Sequence, residues 1–105
     1  MGDDGTQERS SGLTSQLDQR RIDFLKADLK TCFTFVNLAA TELEIGDLEA
    51  VRRVIAKAER GHETINRFLT DPKHASRISA NQMAEFKAEL RRLRRRLGGL
   101  KKKQR

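Results

Sequence analysis

The sequence predicts an all-α fold, an antiparallel helical hairpin joined by a third amphipathic helix to make a three-helix bundle with flexible termini. Three observations carry this reading. Apolar residues recur at alternating spacings of three and four in three segments, the a/d stripe of packed helices, which strands do not produce. Charged residues make up 35% of the chain and aromatics 5%, with no Trp or Tyr, a mix typical of helical rather than β proteins. One Pro and 7 Gly in 105 residues leave long stretches free of helix breakers.

At 105 residues the chain suits one small domain, expected over 14–97, between a disordered tail at 1–13 and a flexible basic tail at 98–105. The first helix is expected to start near Thr14 or Ser15, either of which can cap free N–H groups. Its stripe is Ile22, Leu25, Leu29, Cys32, Val36, Ala39 and Leu43. Gly46 ends it, because glycine tolerates positive φ, and Asp47 caps the second helix. So short a link forces the two helices antiparallel. The second stripe runs Leu48, Val51, Ile55, Ala58, His62, Ile65 and Leu69. Asp71-Pro72 then opens a connection as a cap and first position of a brief turn. Ser79 to Gln82 fits a capping box for a third helix with Met83, Phe86, Leu90, Leu93 and Leu97 on its seam. Gly98-Gly99 is expected to end that helix, with Leu100 continuing the count beyond it.

The first helix carries a second apolar stripe, Phe24, Ala27, Thr31, Phe35 and Leu38, centred roughly 140° from the first at 100° per residue. A helix apolar on two sides is usually sandwiched, so Phe24, Phe35 and Leu38 are expected to meet the third helix or another copy of the chain. A homodimer or a protein partner follows from that expectation.

The segment AATELEIGDLEAVRRVIAKAERG, from Ala39 to Gly61, resembles a single tetratricopeptide-type hairpin, with small residues at Ala39 and Ala40, a tight turn, and small residues on the second helix. The likeness spans about a quarter of the chain. It departs from that pattern at Val51, where the family prefers alanine, and at Glu63, where it prefers proline, and no second copy follows one period later. Isolated repeats of that kind cannot bury their own faces, so the likeness implies hairpin packing and no more.

Charge is polarised. Residues 1–70 hold 10 basic and 12 acidic side chains, and residues 71–105 hold 12 basic and 3 acidic. The net charge of +7 is therefore a property of the last third and points to an acidic partner or an electrostatic tether. Arg91, Arg92, Arg94, Arg95 and Arg96, followed by Lys101, Lys102, Lys103 and Arg105, are the candidate contacts to an anion. They fill the solvent face around Leu90, Leu93 and Leu97 and suit a helix C-terminus electrostatically. As nucleic-acid contacts they would bind phosphate without sequence preference, since no aromatic follows Phe86 to stack on bases. An interfacial membrane helix would need the leucines free, and the fold uses them for packing, so a membrane partner is disfavoured.

Catalytic and metal chemistry find little support. Cys32, His62 and His74 are the only soft or imidazole ligands, and no two are close in sequence, as a metal site would want. His62 is read as half-buried on the seam and His74 as a solvent-facing loop residue. Glu42, Glu44, Asp47 and Glu49 cluster at the hairpin turn, where Asp47 and Glu49 suit a helix N-terminus and the others could dock a cation, including the chain's own basic tail. No nucleophile elbow, P-loop or dinucleotide motif occurs. No enzyme activity, cofactor or small-molecule substrate is implied. The lone Cys32 excludes an internal disulfide and is compatible with a reducing, cytoplasmic setting. The function expected is thus a non-enzymatic interaction or assembly module, with a nucleic-acid-binding accessory as the alternative.

Overall fold

Two residues turn the chain back on itself. The computed structural model describes residues 2–104, with side chains from Gln16 to Gln104, and all its regular structure is helical: α1 (Gly2–Ile45), α2 (Leu48–Thr70), α3 (Pro72–Ala75) and α4 (Ala80–Lys103). α1 begins at Gly2 and not near Thr14 or Ser15, so it runs on through the stretch expected as a tail over 1–13; the side chains of 1–15 and of Arg105 lie outside the description.

Gly46, at φ +91°, closes α1. Its N–H donates to the Leu43 carbonyl at 3.1 Å and the Asp47 N–H donates to the Glu42 carbonyl at 3.0 Å, the paired bonds of a Schellman motif. Asp47 then accepts the Ala50 N–H at 3.1 Å through its carboxylate and caps α2. This capping satisfies backbone groups that a helix end otherwise leaves open. The expected link is borne out at both residues.

Asp71 ends α2 and caps α3, accepting from the Lys73 N–H at 3.0 Å, with Pro72 in the first turn of α3. Ser79 caps α4 by accepting the Gln82 N–H at 3.1 Å. Its hydroxyl in turn lies 3.2 Å from the Gln82 side-chain oxygen.

The core draws on α1, α2 and α4. Ile22, Leu25, Leu29, Cys32, Val36 and Ala39 meet Val51, Ile55, Ala58, Ile65 and Leu69, and Phe86, Leu90, Leu93, Leu97 and Leu100 complete the cluster. Each large side chain so buried contributes roughly 1.5–3 kcal/mol. Gly61 sets the closeness of α1 and α2, because a Cβ placed there would overlap the Cys32 Sγ.

Three further expectations are corrected. α4 does not end at Gly98-Gly99 but runs on to Lys103. Leu100 is 6% exposed and Lys101 reaches Glu59 of α2 at 2.7 Å, so tertiary contact carries the helix across the glycines. Leu48, expected on the α2 seam, is 41% exposed, since the first residue of α2 stands at the turn beyond the reach of α4. His74 is not simply in solvent: its ring stacks on Phe68 at 3.9 Å and 9°, brought there by the single turn of α3.

Candidate interaction surfaces

The second stripe of α1 is where the sequence placed a partner. Phe24 is 67% exposed and Leu38 44%, while Ala27 and Thr31 are also exposed. Phe35 is half-buried, with the Lys57 ammonium 6.0 Å from its ring centre. The third helix does not cover this stripe. α4 packs on the opposite flank, where the Arg92 guanidinium lies 4.4 Å over the Phe33 ring and Arg96 donates to the Asn37 side-chain oxygen at 2.8 Å. Leu17 and Ile45, 52% and 72% exposed, extend the open apolar strip toward both ends of α1. Near Phe24 the surface dips into an apolar groove of about 290 Å³ between α1 and α2, walled by Leu17, Leu25, Thr64 and Phe68.

The basic residues of α4 divide by what they touch. Arg92, Arg96 and Lys101 are engaged with Phe33 and Glu89, with Asn37, and with Glu59 respectively. These three help hold α4 to its neighbours. Arg91, Arg94, Arg95, Lys102 and Lys103 are exposed and have no ion pair or hydrogen-bond partner among the described residues. Arg105 lies outside the description. Sequence reasoning missed Arg52 and Arg60 of α2, which join Arg94 and Lys101 along an open groove of about 1060 Å³ between α2 and α4. Two acids also line it, Glu59 and Glu63, but Lys101 and Arg67 already pair with them at 2.7 and 2.6 Å. Spacing alone does not single them out, since at 100° per residue Arg52 lies about 100° and Arg60 about 180° from the centre of the α2 stripe.

His62 lines the same groove, half-buried, as its seam position predicted. The acids around the hairpin turn are exposed or half-exposed, and Asp47 is occupied as a cap. The basic end of α4 does not dock on them through any described ion pair; Lys101 binds Glu59 instead. Burial, and secondarily the charge of Asp28, push the Cys32 thiol above its ordinary value of 9.0, which keeps it protonated and unreactive near neutrality. Among the described residues no group of three or more His, Cys, Asp or Glu is placed to hold a metal ion. No helix among them is long and apolar enough to cross a membrane.

No family model, no curated protein and no solved structure matches the chain.

Proposed function

We propose that this chain is a small non-enzymatic assembly module of a cytoplasmic, reducing setting, a three-helix bundle of α1, α2 and α4 that docks a protein helix on the open face of α1. One observation carries the reading: Leu17, Phe24, Leu38 and Ile45 remain 44–72% exposed along one helix although α4 had an apolar strip available there and packed elsewhere. Monomers rarely leave so extended an apolar strip in water, and burying each such side chain is worth roughly 1.5–3 kcal/mol.

A photoreactive residue placed at Leu38 tests this in the cells that make the protein, with the same residue at Arg95 as control. Docking predicts protein adducts from position 38 and far fewer from 95. Equal yields at both positions would remove the reading.

A second reading has its own observation, the Arg52, Arg60, Arg94 and Lys101 groove. It supports a nucleic-acid accessory role resting mainly on phosphate contacts, no Phe, Tyr or Trp being present in the groove. Binding to a generic duplex should weaken about tenfold or more between 50 and 200 mM salt. It should also weaken in the triple variant Arg52→Gln, Arg60→Gln, Arg94→Gln. No binding at low ionic strength would eliminate it.

A further inference from the structure

The spacing of the uncovered residues on α1 identifies their occupant, an inference that rests on the docking face proposed above. Leu17, Phe24, Thr31, Leu38 and Ile45 follow one another at intervals of seven. On a straight α-helix each such interval falls about 20° short of two turns, so the row winds around α1 as a left-handed coiled-coil seam does. It runs roughly 42 Å at 1.5 Å per residue. Between its members lie Arg20, Ala27, Thr34 and Thr41, all exposed, which complete a three-and-four spacing.

The threonines do not spoil the seam. The hydroxyls of Thr31, Thr34 and Thr41 donate to the carbonyls of Ala27, Lys30 and Asn37 at 3.0, 3.1 and 3.2 Å. Their polar groups are already partnered, so covering them strands no donor.

We propose that the occupant is a second copy of this chain, α1 packed antiparallel on α1 about a two-fold axis level with the midpoint between Thr31 and Thr34. In this register Phe24 faces Thr41 of the other copy, Leu38 faces Ala27, and Thr31 faces Thr34. Every bulky residue of the seam's centre meets a small one, and the two-fold repeats each match. Toward the ends, Ile45 arrives between Leu17 and Phe24 of the other copy, beside the groove near Phe68. The five exposed large hydrophobics of the described residues are Leu17, Phe24, Leu38, Ile45 and Leu48. This single register covers the four that lie on α1.

Charge selects the same direction. Glu42, Glu44, Asp47 and Glu49 crowd the hairpin end of α1. A parallel pair would bring two such ends together, at a cost in repulsion. The antiparallel pair sets each instead against a charge-balanced stretch of the other copy, Asp18, Arg20, Arg21, Asp23, Lys26 and Asp28, with Arg21 level with Glu44 and Asp23 level with Glu42.

The experiment combines mass with cysteine trapping on the full chain, the buried Cys32 left in place. Light scattering should give twice the chain mass. Phe24→Asp and Leu38→Asp alter exposed side chains, so both variants should keep their helical circular dichroism while dimerising at least tenfold more weakly. Under mild oxidation Ala27→Cys mixed with Leu38→Cys should form a disulfide-linked pair. Neither variant alone should, because its two cysteines would lie roughly 16 Å apart along the axis. A one-chain mass at concentrations up to about 1 mM overturns the proposal, and so does Ala27→Cys linking to itself as readily as to Leu38→Cys. A one-chain mass with adducts from Leu38 in cells would assign the face to a different protein and leave the docking reading intact. The same mass without adducts would end both.

Discussion

Replacing Gly61 by alanine should reverse its effect on stability according to what stands at position 32. A Cβ at Gly61 would overlap the Cys32 Sγ, and Cys32 is 3% exposed in the middle of the α1–α2 contact, so neither helix can retreat without loosening Val36, Ala58 and their neighbours. Overpacking of this kind costs about 1–3 kcal/mol. Opposing it, alanine is favoured over glycine in a helix interior by about 1 kcal/mol, which leaves Gly61→Ala destabilising by up to about 2 kcal/mol. Cys32→Ala removes the obstructing sulfur and should cost about 1–2 kcal/mol by itself, a modest case of large-to-small substitution. In that background the added methyl enters space already vacated, and the helix preference acts unopposed. Gly61→Ala should then stabilise by about 1 kcal/mol. Urea unfolding followed by circular dichroism, at one fixed chain concentration, gives all four corners of the cycle. If Gly61→Ala shifts the midpoint in the same direction with and without the sulfur, the steric account of this glycine is wrong.

Leu93, fully buried between helices, should cost about 2–5 kcal/mol when cut to alanine; a loss near zero in urea unfolding would mean that α4 is not packed as described. Cys32 also predicts an alkaline effect. Its thiol is raised above 9.0 in the folded chain, so the folded form holds its proton where the unfolded form releases it. The associated stability is complete below 9.0 and is lost as pH rises through the folded value. Unfolding free energy measured across that range should fall more steeply for the parent chain than for Cys32→Ala, and equal slopes would refute the assignment.

Much of this fold could be read from residue spacing because packing and local chemistry agreed. The stripe from Ile22 to Ala39 is buried throughout, and Gly46, Asp47 and Ser79 act as the stop and the caps their types favour. The side of α1 that α4 would take was not legible. Phe33 and Phe35 flank the seam on opposite sides, about 200° apart, and either could have met the third helix. The choice depends on Arg92 over Phe33 and Arg96 on Asn37, contacts between residues far apart in sequence. Arg52 and Arg60 were overlooked for a similar reason: a basic run in α4 is conspicuous, whereas a groove shared by two helices exists only after they pack. Leu48 shows the limit of counting alone, since its spacing fits the seam while its place at the turn leaves it in water.

Gly98 and Gly99 sit inside a helix that nothing steric requires them to serve, for a Cβ at either would touch nothing within 4 Å. Together they oppose helix by about 2 kcal/mol relative to alanine, and beyond them the described anchors are Leu100, the partly buried Gln104 side chain on the α2–α4 groove and the half-exposed pair Lys101–Glu59, the ion pair worth at most about 1 kcal/mol. The final turn of α4 therefore depends on those tertiary contacts for its helical state. Docked, it is a stiff extension that displays Lys102 and Lys103 in line with Arg91 and Arg95. Released at the glycines, it is a slack tether carrying the same charges over a wider radius.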